Sequence, residues 1–247
     1  MAKERLDKIL VQRGLVQSRE RARALILAGQ VVVDDHRVDK AGAAVDADAD
    51  IRLKGDDIPF VSRGGLKLDK ALKDFDLTVT DRVAIDVGAS TGGFTDCLLQ
   101  HGASRVYAVD VGYGQLAWKL REDSRVTNLE RCNIRQLTAD QLETVPDLAV
   151  IDASFISLAK VLPPTLDLLT DTGEVVALIK PQFEVGKEFI GKGGIVRDAE
   201  LHDRVIEDIS TLAVELKCRV CGVIDSPILG QKGNREFLIH LQKLKIT

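Results

Sequence analysis

One stretch restricts the fold of this chain more than any other. Val83-Ala84-Ile85-Asp86-Val87 runs into Gly88-Ala89-Ser90-Thr91-Gly92-Gly93 and then into Phe94-Thr95-Asp96-Cys97-Leu98-Leu99. A short apolar run of this kind suits a parallel strand buried on both faces. The glycines after it lack Cβ and let backbone come close to a ligand. The last segment reads as a helix. Strand, glycine turn and helix N-terminus together make a nucleotide-sized pocket at the carboxyl end of a sheet. A dinucleotide, a phosphate or S-adenosylmethionine would suit such a pocket.

The sequence after residue 83 repeats the pattern. Arg105 to Asp110 and Asp147 to Asp152 read as strands ending on carboxylates, and Val175 to Lys180 as one ending on a lysine. Leu201 to Leu216 reads as a helix, with strands at Arg219 to Ile224 and Glu236 to Leu241. Such alternation predicts an α/β domain, a doubly wound and mainly parallel sheet with helices on both faces. Ligands of such sheets bind beyond the strand ends, so the polar residues there are the site candidates. A nicotinamide site needs Gly-x-Gly-x-x-Gly, which Gly88 to Gly93 does not supply, and a P-loop needs a lysine that is absent. Asp110 suits a ribose diol, because a carboxylate accepts two hydroxyl hydrogen bonds. Asp86 is placed to face the ammonium of a methionine moiety.

The 247 residues allow one and a half to two domains, and 45% hydrophobic with 29% charged residues is ordinary for a soluble protein. No apolar run approaches a membrane span of roughly 18 residues, and the charged N-terminus lacks the core of a signal peptide. A cytoplasmic protein without membrane contact is expected. Cys218 and Cys221 have redox or half-zinc spacing, but no second pair accompanies them and the four histidines are scattered. No metal is expected. The net charge of −4 hides a basic start. Residues 1–30 carry seven basic and three acidic side chains, a local face suited to a polyanion.

That basic segment reads as a small α+β unit. Leu6, Ile9 and Leu10 share a helical face that Gly14 terminates, and Ser18 N-caps a second helix through Ala22, Leu25 and Ile26. Val31 to Val33, Val38 and Ile51 to Leu53 follow as strands, with a turn at Asp34-Asp35. Arg19, Arg21 and Arg23 near a helix start suit phosphate, because guanidinium forms bidentate, charge-assisted hydrogen bonds. The expected boundaries are 1–60 for this unit, 61–65 for a linker within the Gly- and Asp-rich run Gly55 to Gly65, and 66–247 for the second domain.

The run Arg5-Leu6-Asp7-Lys8, Gly14-Leu15-Val16, Ser18-Arg19, Ala22, Ile26 and Gly29-Gln30-Val31-Val32-Val33 resembles the RNA-binding domain named after ribosomal protein S-four. That family usually carries Asn-Gly where this chain has Asp34-Asp35. The second domain resembles the Rossmann-like S-adenosylmethionine-dependent methyltransferases. Lys67, Asp152, Lys180 and Glu236 resemble the Lys-Asp-Lys-Glu tetrad of the FtsJ-type RNA 2′-O-methyltransferases. Ser62-Arg63-Gly64-Gly65-Leu66-Lys67-Leu68, Asp152-Ala153-Ser154-Phe155-Ile156-Ser157, Ile179-Lys180-Pro181-Gln182-Phe183-Glu184 and Gly194-Ile195-Val196-Arg197-Asp198 extend the likeness. With the two domains in this order, the whole chain resembles the TlyA, or haemolysin-A-like, family of ribosomal RNA ribose methyltransferases.

The resemblance implies S-adenosylmethionine as cofactor, held by Asp86, Gly88, Ser90, Thr91, Gly92, Gly93, Phe94, Asp110 and Asp152. It implies ribosomal RNA or ribosomal subunits as partner, engaged by Arg5, Lys8, Ser18, Arg19, Arg21, Arg23 and Arg63, and a cytidine ribose as target. Lys180 becomes the base that takes the 2′-hydroxyl proton, with Lys67, Asp152 and Glu236 orienting and tuning it. A lysine can serve so only where a neighbouring cation or desolvation favours its neutral amine. Lys70 competes with Lys67 for its place. Asn133 stands as a turn residue that could lie near an adenine, and Glu184 and Lys187 as either an RNA entrance or a mobile loop. A non-catalytic ribosome-binding protein and a membrane-lytic protein are the rival readings. Methyl-transfer and liposome-leakage assays separate them. Oligomeric state is left open.

Overall fold

A computed structural model describes residues 3–16, 18–53 and 58–245. The chain divides into two compact units, residues 1–59 and 60–247. Gly55, Asp56 and Asp57 of the expected linker run lie outside the described residues.

The first unit contains β1 (Lys3–Arg5), α1 (Leu6–Gln12), α2 (Arg19–Leu27), β2 (Val31–Val33), β3 (His36–Val38), β4 (Ala44–Asp46) and β5 (Ile51–Leu53). The α+β organisation read from the sequence is present. Leu6, Ile9 and Leu10 of α1 pack with Ala22, Leu25 and Ile26 of α2 over Val31, Val33 and Ile51. Ser18 is the N-cap of α2, its Oγ accepting the Arg21 N–H at 3.2 Å. β2 and β3 form a two-residue hairpin, and Asp34 and Asp35 take left-handed φ of 46° and 64°. That is the backbone Asn-Gly adopts in such turns, and Asp tolerates it. Asp34 Oδ1 also accepts the Asp50 N–H at 2.9 Å. The β1–β4 pair was not foreseen, because three charged residues, Lys3 to Arg5, carry no strand pattern.

The second unit opens with α3 (Gly64–Asp74), followed by β6 (Val83–Val87), α4 (Gly93–Gln100), β7 (Arg105–Asp110), α5 (Trp118–Arg121), β8 (Val126–Glu130), β9 (Leu148–Ile151), α6 (Leu158–Asp167), β10 (Glu174–Ile179), α7 (Pro181–Glu184), α8 (Ala199–Glu215), β11 (Cys218–Asp225) and β12 (Phe237–Lys243). Gly64 and Gly65, read as linker, are the first turn of α3. The seven strands lie in the order β11-β12-β10-β9-β6-β7-β8. β10, β9, β6, β7 and β8 are parallel, while β12 is antiparallel to both its neighbours. Side chains alternate across the sheet. In β9, Leu148 and Val150 face the α3/α4 layer, and Ala149 and Ile151 the α6/α8 layer. Burial on both faces is why these strands read as unbroken apolar runs.

This topology positions the site. The chain leaves β6 for β7 and β8 on one side, then crosses to β9 and β10 on the other. The carboxyl ends of β6 and β9 therefore border the crevice where the strand order reverses. Antiparallel β12 pairs Phe237 with Ile179, so its start lies at the same sheet edge as the end of β10.

Candidate active site

Gly88 ends β6 with φ +87°, and a Cβ there would lie 2.9 Å from the backbone oxygen of Asp152. Only glycine lets the ends of β6 and β9 approach this closely. The Gly88 and Ala89 N–H groups both donate to Val109 O, at 2.9 and 3.1 Å. Gly93 has a different task. A Cβ on it would meet Ser62 Oγ at 2.3 Å, Gly65 N at 2.9 Å and Gly64 Cα at 3.2 Å, so α4 and the start of α3 touch backbone to backbone.

Two cavities meet at this point. One, of about 530 Å³, is bordered by Gly88, Ser90, Asp110, Asn133, Asp152 and Phe155. The other, of about 280 Å³, is bordered by Arg63, Lys67, Ser90, Thr91, Gly93, Phe94, Asp152 and Gly230. Both include Gly88, Ser90 and Asp152, which form their common wall. The Asp110 carboxylate accepts the Ser90 N–H at 2.8 Å and the Gly112 N–H at 2.7 Å, which fixes it at the rim of the larger cavity.

Asp86 is fully buried and lines neither cavity. Its Oδ2 accepts the Thr95 hydroxyl at 2.6 Å, and Oδ1 has no hydrogen-bond partner among the described residues. Burial first, then the neighbouring Asp152 and Asp110 charges, pushes its carboxyl up to about 7 against the hydrogen bond from Thr95. Three carboxylates thus surround a pocket floor, an environment that favours a cationic ligand. Gly92 N-caps α4 and lines neither cavity.

The four residues of the expected tetrad occur as two ion pairs. Lys67 Nζ donates to Glu236 Oε2 at 2.7 Å, both side chains being at most 10% exposed. Gly230 presses on this pair, since a Cβ there would overlap the Glu236 carboxylate. Lys180 Nζ lies 2.5 Å from Asp152 Oδ1 as a charge contact. Its directed hydrogen bonds go to Ser154 Oγ at 2.7 Å and to Asp152 O at 3.4 Å. Lys70, the competitor for Lys67, pairs instead with Asp74 one helical turn away. Each lysine has a carboxylate at its head, Glu236 for Lys67 and Asp152 for Lys180.

The loop after β9 was read from the sequence for its family likeness, with no role given to Ser154 or Phe155. Ser154 binds Lys180, and Phe155 has φ 64° and is 85% exposed, with its ring 5.2 Å from Phe183. A β-region is normal for such a residue, so the exposed ring is held by its surroundings. Glu184 supplies part of that hold. It accepts Ser157 Oγ at 2.6 Å and the Leu158 N–H at 2.9 Å, tying the turn after Lys180 to the start of α6. Burial raises its carboxyl. Glu184 is therefore a half-buried brace. The only foretelling signal was Asp-Ala-Ser-Phe directly after a strand. Asn133, set aside as a turn residue, borders the larger cavity while its Oδ1 accepts the Arg135 N–H.

In the first unit, Arg5, Arg19 and Arg23 converge on Asp7, while Lys8 pairs with Glu4 at 3.8 Å. Arg21 is two residues from Arg19 and falls on another face of α2. Cys218 is buried and Cys221 exposed on β11, and all four cysteines are unpaired. Among the described residues, no helix is long and apolar enough to cross a membrane.

Comparison with known proteins identifies the family. Residues 60–243 match the model of the FtsJ-like methyltransferases, and residues 4–51 that of the S4 domain. The chain is 46% identical over 239 residues to the 16S/23S rRNA (cytidine-2′-O)-methyltransferase TlyA of Mycobacterium tuberculosis, covering 96% of this chain and 89% of the relative. It is 39% identical to Hemolysin A of Brachyspira hyodysenteriae, covering 96% and 98%. A solved Streptococcus thermophilus structure named as a hemolysin superposes with a TM-score of 0.78 at 50% identity, covering 99% of this chain and 90% of that one. An S-adenosylmethionine-dependent methyltransferase from Mesorhizobium loti shares the fold alone, with a TM-score of 0.52 at 15% identity over 70% of this chain and 96% of that one. The chain belongs to the FtsJ-like methyltransferase family, in the S4-bearing branch that includes TlyA and Hemolysin A.

Proposed function

We propose that this methyltransferase moves a methyl group from S-adenosylmethionine to a ribose 2′-hydroxyl, with cytidine in ribosomal RNA as the target. One observation carries the reading. Lys180–Asp152 and Lys67–Glu236 stand at one sheet edge, and Asp152 and Lys67 border cavities that share a wall at Gly88 and Ser90. The named activity of the Mycobacterium tuberculosis relative supports the target class.

The residues present fit the cofactor. Gly88, Ser90 and Asp110 would hold it in the larger cavity, with Asn133 at its wall and Phe94, Thr91 and Gly93 on the adjoining side. The buried Asp86, with one oxygen lacking a partner among the described residues, lies beneath the pocket, where a ligand bearing cationic groups would favour its ionised form. S-adenosylmethionine supplies the electrophilic methyl group when bound.

The remaining chemistry belongs to the chain. Lys180 is the general base by family likeness: its Nζ, as the neutral amine, takes the 2′-hydroxyl proton as the ribose oxygen attacks the methyl carbon, and desolvation of this buried site, not a neighbouring cation, is what favours that form. Asp152 and Ser154 hold that Nζ from two sides. Lys67, fixed by Glu236, places a positive charge beside the oxygen as it becomes anionic. The exposed Phe155 ring, backed by the half-buried Phe183, offers an aromatic surface on which the target base stacks. Arg63, at the rim of the smaller cavity, suits an adjacent phosphate. The first unit, whose S4 match supports RNA contact, keeps substrate at high local concentration through its covalent link. A ribosomal RNA substrate places this work in the cytoplasm.

Labelled S-adenosylmethionine and ribosomal RNA test the reading. Label is expected in RNA, in a nucleoside resistant to alkaline cleavage on its 3′ side. Label confined to a base would contradict ribose chemistry.

A further inference from the structure

Among its described residues the first unit buries one charged side chain completely, Asp7 in the first turn of α1. Its carboxylate accepts four N–H donors from three guanidiniums. Arg5 gives Nε at 3.0 Å and Nη2 at 3.1 Å, Arg19 gives Nη2 at 3.0 Å and Arg23 gives Nε at 3.2 Å. Arg19 and Arg23 stand one turn apart on one face of α2, and Arg5 comes from β1. These bonds, that from Arg5 foremost, hold the Asp7 carboxyl well below the usual carboxylate range.

A closed structural ion pair balances its charges. This cluster does not, because one carboxylate faces three cations and two positive charges remain in excess. Each arginine side chain is about half exposed, at 50%, 52% and 51%. A guanidinium carries five N–H donors, and the bonds to Asp7 occupy two on Arg5 and one each on Arg19 and Arg23. Three half-exposed forks therefore share a buried anchor and keep most of their donors outside the bonds to Asp7. Without that anchor, mutual repulsion would drive the three side chains apart.

We propose that Asp7 is the positioning residue of a phosphodiester-binding site, holding Arg5, Arg19 and Arg23 as one three-guanidinium fork for the sugar–phosphate backbone of RNA. The proposal rests on the reading of the first unit as RNA-binding. It reverses a sign. Charge counting alone says that removing a carboxylate from a basic face tightens RNA binding, whereas the fork says that removing this carboxylate weakens it. It also separates Arg from Lys, because an ammonium keeps the charge and loses the planar fork.

The test uses the full-length chain and transcribed 16S and 23S ribosomal RNA, with affinity measured from about 50 to 200 mM salt. Asp7→Asn is expected to weaken binding about tenfold or more and to flatten the salt slope as phosphate contacts are lost. Binding as tight as wild type, or tighter, overturns the proposal. Where Asp7→Asn unfolds the unit, visible as lost helical circular dichroism, Arg19→Lys and Arg23→Lys decide. Each is expected to lose affinity several-fold at unchanged net charge, and wild-type affinity in both overturns the proposal. Wild-type protein lacking salt-dependent RNA binding would overturn the RNA-binding reading as well. S-adenosylmethionine binding should stay at the wild-type value throughout.

Discussion

At the scale of single residues, the account rests on two lysines with different tasks. Lys180→Ala should lower methyl transfer by about 10²–10⁴, the usual share of a general base, while calorimetry shows cofactor affinity nearly unchanged. Turnover within a few-fold of wild type would move the base elsewhere. Glu236→Ala should act on stability too, because it strands the Lys67 ammonium in a site where the pair is at most 10% exposed. A loss of about 3–5 kcal/mol is expected in denaturant unfolding, and clearly less for Glu236→Gln, which keeps a hydrogen-bond acceptor. Asp86 gives a pH signature. Its carboxyl, ordinarily at 3.8, is pushed up to about 7 by burial. Stability from such a group is complete below the ordinary value and is lost as pH rises through the folded one. Cofactor-free protein should therefore melt progressively lower between pH 4 and 7, and Asp86→Asn should remove that slope. The same substitution should raise the melting temperature at neutral pH by a few degrees while weakening S-adenosylmethionine binding. Parallel melting curves for the two proteins would show that Asp86 does not titrate there.

At the scale of elements, the pairing of α3 with α4 decides whether Lys67 reaches Glu236. Gly93→Ala tests it, since the new methyl would lie 2.9 Å from Gly65 N and 3.2 Å from Gly64 Cα. A destabilisation of about 1–3 kcal/mol is expected, with reduced turnover as α3 shifts. Unchanged stability would mean that the two helices have slack. The elements also show what the sequence could and could not disclose. β6, β7, β9 and β10 were legible because a strand buried on both faces has one continuous apolar signature. β8 escaped notice, because Val126-Thr127-Asn128-Leu129-Glu130 lies half-buried at the sheet edge and mixes polar with apolar residues. The antiparallel run of β12 was equally hidden, as side-chain alternation is the same in either direction. Lys67 and Glu236 lie 169 residues apart, and no spacing rule joins them; family likeness brought them together before the structure did. In the first unit, position near a helix start picked Arg19, Arg21 and Arg23 and the family resemblance added Arg5, while the fold assembled Arg19, Arg23 and Arg5 around Asp7. A buried carboxylate drew that set, and charge counting along the chain cannot see burial.

At the scale of the whole molecule, the chain joins an S4-matched unit of α+β form to a seven-strand methyltransferase sheet. The division of labour is physical. Guanidiniums on the first unit suit phosphates, which carry no sequence information, while the cavity walls and exposed aromatics of the second suit one nucleoside. Affinity for RNA should accordingly fall with salt through the first unit's arginines, and turnover on bound RNA should depend on the Lys180–Asp152 and Lys67–Glu236 pairs. The most direct test maps ribose methylation on ribosomal RNA after incubation with S-adenosylmethionine and either wild-type protein or the Lys180→Ala variant. The account predicts a 2′-O-methylcytidine made by the wild type alone, with both proteins binding the cofactor. Methyl transfer to a base, or equal ribose methylation by the two proteins, would contradict it.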